Sequence, residues 1–135
     1  MISVENITKS YTPEIFAVQD VSFEVPKGTI TCLIGPSGCG KTSLLKMLNQ
    51  LVEPTSGSIT INNQSPKDSS PVAWRRRIGY VIQKIGLFPH LTIRQNLCLP
   101  PHPNVISETL KWEKAKDLLV KVGLDPLEFA DRYPP

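Results

Sequence analysis

The run Gly35-Pro36-Ser37-Gly38-Cys39-Gly40-Lys41-Thr42 is where residue types and spacing dictate a chemistry: a glycine, four variable positions, then Gly-Lys-Thr. Glycines permit positive φ and a close approach of the main chain, so successive backbone N–H groups can converge on phosphate oxygens. Lys41 is placed to reach the β- and γ-phosphates of a nucleoside triphosphate. The Thr42 hydroxyl offers the hard oxygen that Mg²⁺ prefers, and Ser43 completes the cradle at the next position. The pattern predicts binding of MgATP. Cys39 sets a thiol inside this loop beside Lys41, so alkylation there is expected to block nucleotide binding.

A phosphate loop works only if a strand delivers it and a helix receives it. Ile30 to Ile34 is nearly all apolar and β-branched, as expected for a strand covered on both faces, and Gly35 ends it. From Lys41 onward, Leu44, Leu45, Leu48, Leu51 and Val52 recur at helical spacing, with Pro54 beyond as the stop. Unpaired N–H groups and the positive end of that helix's dipole would face the loop. Residues 2–7, 21–25 and 57–62 alternate apolar and polar, the period of strands with one buried face, with a turn at Asn62 to Lys67. Arg75 to Arg77, read as a solvated run, precede an apolar strand over residues 78–82 and a loop at Gln83 to Pro89. Another helix is expected over residues 107–122, with Ser107 as N-cap, Gly123 as C-cap, and Leu110, Ala115, Leu118, Leu119 and Val122 as its apolar stripe.

Composition narrows the class. The chain has 135 residues, 40% hydrophobic and 20% charged, an ordinary balance for one globular α/β domain, and no interdomain linker is visible. No apolar run approaches the ~20 residues that span a bilayer, so direct membrane insertion is not expected. The opening segment MISVENITKS lacks the cationic head and apolar block of a signal peptide, which predicts a cytosolic setting. Cys32, Cys39 and Cys98 lie far apart without CxxC spacing, so neither a disulfide framework nor a zinc site is expected. A net charge of +3, scattered along the chain, does not predict nucleic-acid binding. The 13 prolines concentrate at residues 100–103 and at Pro134 and Pro135, where loops are expected.

Through GPSGCGKTS and the segments around it, the sequence resembles the ATP-binding subunits of ABC transporters over all 135 residues. The resemblance implies an α/β P-loop NTPase fold of the ABC ATPase type, an antiparallel β subdomain joined to a core strand, P-loop and helix. Thr8-Lys9-Ser10-Tyr11 looks like the segment whose aromatic ring stacks on adenine, which assigns Tyr11 to the base. Ile78-Gly79-Tyr80-Val81-Ile82-Gln83 resembles the strand ending in the Q-loop glutamine, which would bring Gln83 to Mg²⁺ and the attacking water. Leu87-Phe88-Pro89-His90-Leu91-Thr92 continues that block and would dock a helix of a transporter membrane subunit. VIQKIGLFPHLT looks most like the importers of glycine betaine, choline or carnitine, with polar amino acid importers as the competing subtype. A homodimer sandwiching ATP is implied for the complete form, on the inner face of the cell membrane.

The family pattern also contains an LSGGQ-like signature, an apolar strand ending in Asp followed by a catalytic Glu, and a later switch histidine. Arg132-Tyr133-Pro134-Pro135 resembles the run just before the signature, and no apolar run ending in Asp-Glu occurs in these residues. His90 and His102 both precede the switch position and read as surface loop histidines. The expectation is an N-terminal part, 1–135, of a nucleotide-binding domain, truncated before the signature. No catalytic residue is assigned, and hydrolysis is not expected of the chain alone. The alternative is a nucleotide-binding fragment without turnover. A small-molecule kinase sharing the loop is disfavoured by Tyr11 and the Gln83 block.

Overall fold

The computed structural model describes residues 1–83, 86–99 and 107–134. The prolines at 100–103, His102, Pro135 and residues 84 and 85 of the expected loop lie outside them. The chain divides into two compact units, Met1–Val81 and Ile82–Pro135, each built around its own contacts.

The first unit is organised by a long hairpin. Strands β1 (Ile2–Thr12) and β2 (Ile15–Val25) pair antiparallel, and β3 (Ser56–Ile61) pairs antiparallel with the other edge of β1, giving the order β2-β1-β3. Both hairpin strands run further than the alternating segments alone suggested. Asn6 and Asp20 take positive φ where the register shifts, and the Asn6 side-chain amide donates to the Asp20 carboxylate at 2.9 Å. These irregularities interrupt the alternation in sequence without ending the ladder. The turn after β3 appears as expected: Asn62 and Asn63 both adopt positive φ, the conformation of a tight two-residue reversal, and Ile61 bridges back to Gln64.

Helix α1 (Lys41–Leu48) covers one sheet face, where Leu44 and Met47 join Val4, Ile7, Val18 and Ile59 in the core. The helix stops before Pro54 because Gln50 turns into the left-handed region, with Asn49 as C-cap. Leu45 and Leu51, counted in the expected stripe, are exposed, while Met47 fills the central position. A single 3-10 turn (Pro66–Asp68) and helix α2 (Pro71–Arg75) follow, each opened by a serine cap and a proline. Trp74 on α2 is buried and its indole Nε1 donates to the Leu48 carbonyl at 3.0 Å, tying α2 to the end of α1. The arginine run is not merely solvated. Arg75 donates to the Gln50 carbonyl at 3.2 Å and Arg77 to the Gln64 side chain, so two of these cations hold turns of the same unit.

Two expected strands do not form as such. Residues 30–34 and 78–82 join no ladder among the described residues, and Ile30 and Ile34 are 94% and 93% exposed. Apolar, β-branched sequence favours an extended chain, but a strand exists only where neighbouring backbone N–H and C=O groups complete its hydrogen bonds. The three-stranded sheet offers these segments no partner.

The second unit holds α3 (Ile93–Cys98), α4 (Glu108–Lys121) and α5 (Pro126–Phe129). The Ser107 hydroxyl caps α4, and Gly123 follows its end at φ 77°, as expected from sequence. Only Ala115 and Leu119 of the expected stripe are buried, and Leu110, Leu118 and Val122 are exposed. Helices α3 and α5 were not legible as periodic runs, because each is shorter than two full turns.

Candidate functional site

The loop from Gly35 to Gly40 connects the unpaired segment 30–34 to α1, and glycine conformation shapes it. Gly38 and Gly40 have φ of 82° and 94°. A Cβ on Gly40 would fall on the Ala17 carbonyl of β2, so the loop crosses that strand at a separation only glycine allows. Gly35 is closed from within: a Cβ there would sit 2.7 Å from the Cys39 Sγ. Pro36 and Cys39 close a turn through Cys39 N–H to the Pro36 carbonyl at 3.4 Å, with Ser37 and Gly38 at its tip.

Helix α1 begins at Lys41 with Gly40 as a left-handed N-cap that supplies no side-chain acceptor, and no acidic residue occupies its first turn. The first bond into the helix is Leu44 N–H to the Gly40 carbonyl at 2.9 Å. Among the described residues, the N–H groups of Gly38, Gly40, Lys41, Thr42 and Ser43 have no backbone acceptor. Five donors without backbone acceptors thus lie close together in sequence at the positive end of a helix dipole, an arrangement that suits an anion.

Lys41 supplies a positive charge inside the loop. Its Nζ donates to the carbonyls of Gly35 at 2.8 Å and Pro36 at 2.6 Å and lies 3.3 Å from the Cys39 Sγ. The ammonium thus rests across the loop on exposed, local partners, from which a phosphate oxygen could recruit it at little cost. Thr42 is exposed on the first turn, with its hydroxyl available as an oxygen ligand. The donor set fits the phosphates of a nucleotide with one magnesium-ligating hydroxyl.

A cleft of about 420 Å³ opens beside this loop, lined among others by Phe16, Ala17, Val18, Leu33, Ile34 and Lys41. Tyr11 is not in its wall. It stands near the hairpin end, 59% exposed, with Lys9 Nζ 5.4 Å from its ring centroid. The Lys9 ammonium lies over one face of this ring. Phe16 and the Ala17 carbonyl were missed by sequence reasoning; nothing in an alternating strand marks which residue faces a loop that arrives later in the chain.

Gln83 belongs to the second unit, whereas Tyr11 and residues 35–43 belong to the first. The Gln83 side chain is exposed, and so are Leu87 and Phe88, with Phe88 at 54%. Phe88 meets His90 edge to face at a centroid distance of 5.8 Å. Beneath them lies Asn96 of α3, which sequence reasoning also passed over. Its side-chain oxygen accepts from Phe88 N–H at 2.7 Å, and its amide nitrogen donates to the carbonyls of Phe88, Leu91 and Thr92 at 3.1, 2.9 and 3.0 Å.

Residues 18–134 match the family model described as ABC transporter. The chain is similar to the carnitine transport ATP-binding protein OpuCA of Listeria monocytogenes, 51% identical over 134 residues, which cover 99% of this chain and 34% of that protein. It is likewise similar to the choline transport ATP-binding protein OpuBA of Bacillus subtilis, at 48% identity over 99% of this chain and 35% of that one. Among solved structures, the dimeric structure of MJ0796, a bacterial ABC transporter cassette, superposes with a TM-score of 0.87 at 31% identity, covering 99% of this chain and 62% of the cassette. The chain thus spans about a third of the length of these curated relatives. Glycine loop, receiving helix, β hairpin and sequence match agree, and the chain belongs to the ABC transporter family.

Proposed function

We propose that this chain is the N-terminal part of the ATP-binding subunit of an ABC importer, binding MgATP to power uptake of a quaternary-amine osmoprotectant. The observation that carries the nucleotide reading is the loop itself: five unpaired N–H donors, two glycines at positive φ and a lysine held only by loop atoms, at the uncapped start of α1. Residues 35–40 would wrap the phosphates, Lys41 would neutralise charge on their outer oxygens, and Ser43 would donate at the helix start. Thr42 would offer its hydroxyl to Mg²⁺, and Tyr11 would stack on the base. The relatives named for carnitine and choline transport support the osmoprotectant subtype; a polar amino acid importer is the competing one.

The test is equilibrium binding of a fluorescent ATP analogue with and without Mg²⁺, comparing the chain with Lys41→Ala, alongside phosphate release. Binding that is lost in Lys41→Ala supports the reading; equal binding by both overturns it. Phosphate release is not expected, because no apolar strand ending in Asp-Glu occurs in these residues to position a water. That same feature favours the second reading, a nucleotide-binding fragment without turnover, for the chain on its own.

The parent protein would act on the inner face of the cell membrane. No helix among the described residues is long and apolar enough to cross a membrane, and attachment through membrane subunits is the role that the transport relatives support. Exposed Leu87 and Phe88 in the loop after Gln83 suit that contact. Phe88→Asp should weaken capture of membrane subunits in a pull-down while sparing ATP binding. The dimeric cassette MJ0796 supports a homodimer for the complete form.

A further inference from the structure

We infer that Asn96 is the positioning residue of the membrane-subunit contact, holding the backbone beneath Phe88 in its docking conformation before any partner arrives. This rests on the docking role proposed above for the loop after Gln83. Asn96 is 8% exposed and both polar atoms of its side chain are engaged. It treats Phe88 as a neighbouring strand would, accepting from its N–H and donating to its carbonyl, and it also gathers the carbonyls of Leu91 and Thr92. These bonds close the loop at both ends, since Thr92 is itself the N-cap of α3, linked reciprocally to Gln95.

The arrangement opposes what an isolated loop would do. A phenylalanine in water tends to fold back against apolar surface, yet here a buried, saturated amide fixes the main chain while the Phe88 ring stays half exposed beside His90. A loop fixed outward in this way loses little conformational freedom on binding, which raises affinity without adding a contact. Asn96 therefore acts through Phe88, with no contact of its own to the partner.

The experiment is a double-mutant cycle on the full chain, measuring its binding to membrane-spanning subunits co-expressed with it and purified in detergent. The variants are Phe88→Ala, Asn96→Ala and the pair. Expected is a loss of about tenfold in affinity for Asn96→Ala, with binding of a fluorescent ATP analogue unchanged, and little further loss when Asn96→Ala is added to Phe88→Ala. A structural defect would instead add its full effect to the double variant, and that result overturns the proposal. Hydrogen exchange gives a second measure: the Phe88 amide should exchange faster in Asn96→Ala while α4 amides keep their protection. If Asn96→Ala does not fold, Asn96→Asp, which keeps the acceptor for Phe88 N–H but loses the donors, enters the same cycle. Weakening by Phe88→Ala without weakening by the Asn96 variants refutes the positioning role and leaves the docking loop standing. No effect of Phe88→Ala removes the docking role and the proposal with it.

Discussion

Gly40 carries two constraints at once, a φ of 94° and a Cβ position taken by the Ala17 carbonyl. Gly40→Ala is therefore expected to lose about 1–3 kcal/mol or more from backbone strain alone, and to shift the loop off β2. Chemical denaturation would show the first effect and reduced nucleotide-analogue binding the second; an unchanged midpoint would mean that the loop relaxes freely. At Cys39, alkylation would set a bulky group against Gly35 and beside the Lys41 ammonium. Labelled protein should lose ATP-analogue binding, and ATP should slow the labelling; normal binding after complete labelling would refute the idea. The loop's glycine conformations and the helix start at Lys41 were readable because residues adjacent in sequence encode them. Phe16 and Ala17 were not readable, since each meets a loop that the fold alone brings near, and Asn96 was not, since its bonds go to backbone groups of the preceding loop whose geometry no residue type announces.

At the scale of elements, legibility followed the source of the stabilising bonds. Helix α4 was placed correctly because its cap, its length and its terminal glycine are all local signals. Its apolar stripe was overread, because periodicity records which residues could be covered and says nothing of whether a cover is present. Ser107→Ala should reduce stability by about 1 kcal/mol through the lost cap, with fraying confined to the first turn of α4 in hydrogen exchange. Segments 30–34 and 78–82 failed for the complementary reason, their expected ladders depending on partners that the sheet formed by the described residues does not offer. In the first unit, Met47 sits 1% exposed at the centre of the core, so Met47→Ala should lower unfolding stability by about 2–5 kcal/mol. A smaller loss would mean that the sheet and α1 collapse onto the gap.

For the molecule as a whole, the apolar chain at residues 30–34 is the main liability. Ile30 and Ile34 are almost fully exposed, and an apolar, β-branched segment outside any ladder invites pairing with another copy. Ile30→Lys together with Ile34→Lys should reduce concentration-dependent association in sedimentation; unchanged association would point to another surface. The division at Val81/Ile82 is unmarked in the sequence, with no Gly-, Ser- or Pro-rich linker, and it falls just before Gln83.

The chain contains two tryptophans, and that division allots one to each unit. Trp74 is enclosed and bonded to the end of α1, whereas Trp112 lies on α4 with the Arg94 guanidinium 5.1 Å from its ring centroid. Each half of the molecule therefore carries its own optical reporter. In Trp112→Phe the emission belongs to the β-sheet unit alone, blue-shifted while Trp74 stays dry, and in Trp74→Phe it belongs to the helical unit. Coincident melting of the two signals would make the chain a single cooperative system, and separate melting would make it two.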